Sequence, residues 1–504
     1  MTGPYRQLGS AKKHRLHKGF PHGSWRRSLL EGLAAKLANS VNYYFESSPC
    51  PPRFVDGEAL LKQPERAITN GDRAAESLST PYLPDSGSSA VSNLENLARA
   101  CTNSGESVND AIVEHARSVV DDLGSRAEVT AAAALKSADA VDREARFPSE
   151  AIQSARAQRL LGMMVPTGLG GEGANLSDVV DVCYILARGC ASTAMIFAMH
   201  QIMVAILVRH ARNSPWHRRL LRRLSSDQLL LASSTTEGKG GGDLRRSVCA
   251  VERTGSRIGL TKSATVMSYG EQADGILTTA RSSADSASSD QVLAAFVKED
   301  YQLEPIMNWD TLGMRGTCSA GFTLKCSGEM DQVVPVPYEK IQSQTMMPVA
   351  HLTWSAVWAG VAAAALERAR RSVRASTRNA SGQPAPGASH LTRATMSLGA
   401  LRGTLAAALQ RFEAASTTES ELDSLEFQSA MNLLKVSASE MATSTVMSSM
   451  QACGLSGYRN DGDFSVSRHV RDVLSSSIMI NNERILASAA TPLLLIEAPR
   501  SLRG

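Results

Sequence analysis

A block of short apolar segments, bracketed on both sides by long helical stretches, most constrains what this chain can fold into. Between Leu229 and Tyr338 the clusters 248–251, 258–260, 275–280, 292–297, 322–324 and 333–336 are separated by polar or glycine-rich turns. Strands of this length and spacing predict a small β-barrel or sandwich. The flanks carry apolar residues three and four apart instead, the spacing of one helical face.

On the N-terminal side, helices are expected over 107–123 and 128–145, then after Pro148, then over 178–189 with Asn175 or Ser177 as cap. The loop Gly168-Leu169-Gly170-Gly171-Glu172-Gly173 is too rich in glycine for a helix. On the C-terminal side, helices are expected over 352–374, 391–415, 425–453 and 472–487. The fold class is therefore mostly α with a central β domain. Its expected parts are a poorly ordered extension over 1–93, a helical domain over 94–228, a middle β-barrel over 229–345 and a C-terminal four-helix bundle over 346–504. Residues 1–90 mix histidines, prolines and a Ser/Gly/Pro-rich tail, a composition with little to bury.

Net charge is only +4, which gives no footing for nucleic acid. Eight cysteines without a Cys-x-x-Cys pair indicate neither a zinc site nor a disulfide framework, and fit a reducing, cytoplasmic setting. Seven basic residues precede the first acid, Glu31, which also admits an organellar import segment. The longest apolar stretch, 190–208, contains Ser192, Thr193, His200 and Gln201, so it reads as a buried helix rather than a membrane span. His200 within it reads as a satisfied core histidine.

The stretch Leu229-Leu230-Leu231-Ala232 leads into Thr236-Glu237-Gly238-Lys239-Gly240-Gly241-Gly242-Asp243, a strand ending in a glycine-rich turn. Such a turn lets backbone approach a flat or charged ligand closely. Four further segments follow it or precede it in a recognisable order. They are Leu161-Gly162-Met163-Met164-Val165-Pro166 with Gly170-Gly171, Leu312-Gly313-Met314-Arg315-Gly316-Thr317, Gln451-Ala452-Cys453-Gly454-Leu455-Ser456-Gly457-Tyr458, and Arg468-His469-Val470-Arg471-Asp472. Together they resemble the acyl-CoA dehydrogenase superfamily over residues 105–490.

That resemblance implies FAD held between the β domain and the bundle, in a homodimer or homotetramer. It implies that Thr236 bonds the pyrimidine side of the flavin, that Gly241 and Gly242 lie by the diphosphate, and that Val266, Met267 and Ser268 belong to a strand covering the ring. Ser268 takes the place of the hydroxyl near the reactive nitrogen. Gln451, Gly454 and Gly457 would touch the adenine half of the FAD of a neighbouring subunit.

The resemblance breaks at the catalytic base. Family members carry a Glu at the position that falls here, nine residues after Arg471, on Ile480; an alternative base position falls on Ala350. Neither side chain accepts a proton. His351, beside Ala350, and Glu483, one helical turn beyond Ile480, are the candidate replacements. The Trp that packs on the flavin in relatives is Val266.

The first expectation is α,β-dehydrogenation of an acyl-CoA or related thioester, with an electron-transfer flavoprotein as acceptor, in lipid metabolism. The second is a flavin-dependent monooxygenase or hydroxylase fed by a flavin reductase, since oxygen insertion needs a dry site more than a base at an α-carbon. A catalytically inactive flavin-binding scaffold is the third. No metal, nucleic-acid or membrane partner is expected.

Overall fold

The computed structural model describes residues 108–238, 245–378, 385–497 and 500–501, with side chains from residue 122 onward. The expected extension over 1–93 lies outside the described residues. The first helix, α1 (Val108–Glu144), replaces the two expected over 107–123 and 128–145. Gly124 sits at the expected gap, but a single glycine costs a helix only about 1 kcal/mol. Burial of Leu123, Ala127, Ala131 and Ala134 along one face outweighs that.

Helices α2 (Ser149–Ala157), α3 (Leu176–Gly189), α4 (Ala191–His210) and α5 (Pro215–Asp227) complete the N-terminal helical part. Asn175 caps α3 reciprocally: its side chain accepts from Asp178 N at 3.0 Å, and the Asp178 carboxylate accepts from Asn175 N at 2.9 Å. Helix α4 is long and apolar enough to cross a bilayer, yet its sides are covered by the rest of the protein. His200 within it is satisfied at both nitrogens. Leu231 N donates to Nδ1 at 3.0 Å and Nε2 meets Leu161 O at 2.9 Å, which ties the Leu161 loop to the first strand.

The middle region consists of two small sheets. Strands β1 (Leu231–Ser234), β4 (Gly275–Arg281) and β5 (Gln291–Val297) form one, in the order β1-β4-β5 with β1 parallel to β4. Strands β2 (Glu252–Thr254), β3 (Arg257–Ala264), β6 (Tyr301–Met307) and β7 (Gly321–Glu329) form the other, in the antiparallel order β2-β3-β7-β6. Segments 248–251 and 333–336 supply only isolated bridges through Ala250 and Val333, while β6 is a strand where none was expected. Only Tyr301 of it is buried, and Pro305 inside the run argues against a strand from sequence, since proline is tolerated only at a sheet edge such as this one. Buried Lys262 on β3 links the sheets, donating to Ser234 O and Thr279 O at 2.8 Å each.

The C-terminal bundle holds α6 (Tyr338–Arg378), α7 (Ala388–Ala415), α8 (Leu425–Cys453), α9 (Ser467–Ile478) and α10 (Asn482–Leu493). Helix α6 contains one wide π turn over Gln342–Met346. The single helix expected over 472–487 is instead α9 and α10, parted at Met479, Ile480 and Asn481. Ile480 and Asn481 take positive φ, and the Asn481 side chain caps α10 by accepting from Glu483 N at 3.0 Å.

Two of the sequence segments meet at α9. Met314 N donates to Asp472 Oδ1 at 2.7 Å, and Arg471 reaches Leu312 O at 3.1 Å and Asp142 Oδ1 at 2.8 Å. A Cβ at Gly313 would stand 2.1 Å from Arg471 O. Gly313→Ala therefore has to push the turn off α9, and should cost about 2 kcal/mol in urea unfolding. A change below about 0.5 kcal/mol would show that the contact yields freely.

Candidate functional site

Between the first sheet and the bundle lies a cavity of about 780 Å³, within the range of small-molecule sites. One wall is built by the end of β1 and the turn after β3. Thr235, Thr236, Glu237, Gly238, Thr265, Val266 and Ser268 line it. Thr265 to Tyr269 is a turn rather than the expected strand, because β3 stops at Ala264 and Tyr269 takes φ 43°. Turning there, the chain presents Val266 half-exposed at the cavity while Met267 is wholly buried, its N–H bonded to Ala320 O at 2.9 Å.

The hydroxyls on this wall have assignable directions. Thr236 Oγ1 donates to Val266 O at 3.3 Å, which leaves its lone pairs to accept. Ser268, Ser319 and Thr317 form a chain of hydroxyls with 2.8 Å links, and Thr317 donates its proton to Met314 O at 2.8 Å. With that end fixed, Ser319 donates to Thr317 and Ser268 donates to Ser319. Ser268 is thereby left as an acceptor toward the cavity.

Glu237 is the one carboxylate lining the cavity among the described residues, and it is fully engaged. It accepts from Ser247 Oγ, from Val248 N at 2.7 Å and from Cys249 N at 3.3 Å, with Lys262 Nζ 3.5 Å away. Burial works against its ionisation, but the Ser247 hydrogen bond and the Lys262 charge hold its pKa below the ordinary carboxylate value. Its role is to anchor the segment after the glycine-rich turn. Together with buried Lys262, it is a structural unit that no residue spacing reveals.

The opposite wall is helical. Met199, Ile202 and Met203 come from α4, and Gln342 and Met346 from the π turn. Ala350, His351 and Trp354 follow along α6. Leu425, Gln428, Ser429 and Asn432 form a stripe along α8 at helical spacing. Met479, Ile480, Arg484 and Ile485 come from the α9–α10 break and the start of α10. The two expected base positions, Ile480 and Ala350, thus face the same cavity as Thr236, Val266 and Ser268.

Of the two replacements, only His351 lies there. It is 3% exposed, and its Nδ1 meets Met431 O at 2.9 Å. A carbonyl can only accept, so Nδ1 carries the proton and Nε2 keeps its lone pair. Burial, aided by the nearby Lys435 charge, lowers its pKa to about 4 against the bond to Met431. Glu483 is exposed in the first turn of α10 and does not line the cavity. The shared helical face with Ile480 does not exist, because the break intervenes.

Buried Lys435 of α8 holds that break. Its Nζ donates to Ser476 O at 2.8 Å and Asn482 Oδ1 at 2.6 Å, while Asn482 Nδ2 donates to Ser439 Oγ at 2.8 Å. A lysine inside an apolar helix pattern was the available sequence signal for this network. Gln451, Gly454 and Gly457 sit away from the cavity, at the end of α8, where Gly454 takes φ 61° as helix-terminating glycines do. Gly241 and Gly242 lie outside the described residues. Among the described residues no group of three or more His, Cys, Asp or Glu suits a metal ion.

The wall formed by Thr235–Gly238 and Thr265–Ser268 fits a flat heterocycle with a hydrogen-bonding edge. Gly238 lets the two segments pack closely, since a Cβ there would stand 2.6 Å from the Thr265 methyl; two hydroxyls offer lone pairs and Val266 offers an apolar face.

Comparison with known proteins agrees with this architecture. The family model for the acyl-CoA dehydrogenase N-terminal domain matches residues 123–228, and that for the C-terminal domain matches residues 342–485. No curated protein matches the chain by sequence. Among solved structures, dibenzothiophene monooxygenase (TdsC) from Paenibacillus sp. A11-2 is 16% identical, with TM-score 0.64, covering 75% of this chain and 98% of that one. Methanesulfinate monooxygenase MsuC from Pseudomonas fluorescens is 18% identical, with TM-score 0.65 over 75% of this chain and 97% of its own. Butyryl-CoA dehydrogenase from Megasphaera elsdenii is 17% identical, with TM-score 0.62 over 75% and 98%. At these identities the likeness is one of fold. With both family domains matched on either side of the sheets, the chain belongs to the flavin-dependent acyl-CoA dehydrogenase superfamily, as a divergent member.

Proposed function

We propose that this protein is a flavin-dependent monooxygenase acting on a small molecule, with FAD as its flavin. The observation that carries this is the absence of an available carboxylate at the cavity among the described residues. Ile480 and Ala350 occupy the base positions, and Glu237 is tied to Ser247, Val248, Cys249 and Lys262. Abstracting an α-proton needs a group whose pKa is near the working pH. His351, held at about 4, is a weak base there.

Reduced flavin supplies the redox chemistry when bound: one atom of O₂ enters the substrate, the other leaves as water, and the flavin is oxidised. Thr236 would accept at the pyrimidine side of the ring. Ser268, left as an acceptor by its hydroxyl chain, would accept from a protonated ring nitrogen, which only the reduced ring offers at that edge. Met199, Ile202 and Met203 exclude water from the far side. The neighbouring folds include two monooxygenases, which supports the reading without deciding it.

The test is direct. The flavin released on denaturation identifies the cofactor. Anaerobic addition of acyl-CoAs should leave the bound flavin yellow, and supply of reduced flavin with O₂ should give an oxygenated product from a substrate panel. Bleaching by an acyl-CoA would establish the dehydrogenase instead, and a protein that takes up no flavin would exclude both. Ile480→Glu, which restores a carboxylate at the family position, should still give no more than about a tenth of an ordinary dehydrogenase rate constant, because Glu would enter from a backbone turned out of the helix.

A further inference from the structure

The helical wall carries polar groups that an acyl chain would leave stranded, and their directions are set by bonds already made. His351 Nδ1 is committed to Met431 O, so Nε2 is the acceptor left on the ring. Gln428 spends both amide hydrogens, donating from Nε2 to Ser343 O at 2.9 Å and to Leu422 O at 2.7 Å. Its Oε1 is then an acceptor with no donor supplied by those bonds. Both residues line the cavity, with Ser429 and Asn432 on the same α8 stripe as Gln428.

Charge limits the ligand further. The one carboxylate lining the cavity among the described residues, Glu237, already faces Lys262 at 3.5 Å. Among the described residues, a cationic ligand finds no carboxylate there that is not already paired. A purely hydrocarbon ligand would desolvate His351 Nε2 and Gln428 Oε1 without replacing their hydrogen bonds, which is unfavourable for each.

We propose that the cavity selects an uncharged small molecule that donates N–H or O–H hydrogen bonds to His351 Nε2 and Gln428 Oε1. His351 is on this account a specificity-determining acceptor rather than a catalytic base. The proposal rests on the monooxygenase reading only in taking this cavity as the substrate site. It names polar N–H or O–H compounds as the substrate class and excludes simple acyl chains and ammonium ions.

Two pairs of near-isosteric probes test it, each pair differing in the donor: indole against benzothiophene, and phenol against toluene. Binding is measured by calorimetry on the full-length protein, with flavin oxidised or absent, so no turnover is involved. The donor member of at least one pair should bind about tenfold more tightly than its isostere, the factor that one net hydrogen bond supplies. His351→Phe should erase that preference by weakening the donor compound alone, and His351→Gln, which keeps an acceptor, should restore part of it. Equal affinities within both pairs, or no binding of any of the four at millimolar concentration, overturns the proposal. So does a His351→Phe variant that binds but weakens both members equally, since that is what a packing role would do. Should the variant not fold, the comparison in the unaltered protein still decides. Failure of oxygenation with the preference intact would remove the monooxygenase reading and leave this one standing; oxygenation without the preference would do the reverse.

Discussion

Lowering the pH from 7.5 to 5.0 should bring the urea midpoint of this protein down sharply, by several kcal/mol of stability. Five histidines are buried or half-buried and held neutral. Burial lowers His200, His210, His217 and His351 to about 4, and takes His469 well below its ordinary value with help from Arg468 and Arg368. In the unfolded chain each titrates near 6.5. Below that pH the unfolded state binds protons that the folded state refuses, so stability is complete above about 6.5 and is lost as pH falls toward 4. Each fully buried histidine contributes about 2 kcal/mol to the loss by pH 5. Asp472 acts in the opposite sense: burial raises it to about 6, so it takes up a proton in the folded state first and returns part of the loss over the same range. One such carboxylate does not offset four buried imidazoles. A midpoint that stays level or rises between pH 7.5 and 5.0 would mean that these rings are protonated in the folded protein.

The same histidines show what could be read from the chain beforehand. His200 lies in a continuous apolar run, and a core role followed from its neighbours; the structure gives it two backbone partners. The order of helices, strands and helices was legible because long faces and short apolar runs leave periodic traces. The bounds 425–453 of α8 agree with the structure to the residue. The α9–α10 break was not legible from apolar spacing, since Leu474, Ile478, Ile485 and Ala489 keep helical intervals of four and seven through it. What ends the helix is local chemistry: Asn481 turns back to cap α10, and Asn-Asn before Glu-Arg is a helix-start signature lying inside an apparently continuous helix. Missing it made Glu483 a neighbour of Ile480 on paper. The π turn at Gln342–Met346 left no periodic trace at all, although it aims Gln342 and Met346 at the cavity. Helices with such wide turns often have them at functional sites.

Replacing Asn482 by Ala should destabilise the protein by about 3 kcal/mol at pH 7, and by clearly less at pH 9. Lys435 is fully buried, and Asn482 Oδ1 at 2.6 Å is one of its two oxygen partners, the other being Ser476 O. The Trp358 ring also lies close, 5.7 Å from Nζ to centroid. Without Asn482 an ammonium ion stays in the core with one acceptor and a ring face, which is why the loss exceeds that of an ordinary hydrogen bond. Burial already lowers Lys435 to about 8; losing a partner lowers it further. The unfolded lysine stays protonated to about 10.4. The folded variant therefore releases its proton below pH 8, and the penalty shrinks as the pH rises from 7 toward 8 and is smallest at 9, where Lys435 is largely neutral in both folded proteins. An equal loss at both pH values would show that Asn482 acts by packing alone. The cavity reports on the same event: Lys435 and Asn482 hold Met479 and Ile480 against it, so Asn482→Ala should also weaken binding of the preferred N–H probe. A destabilised variant with unchanged affinity would separate the break from the site.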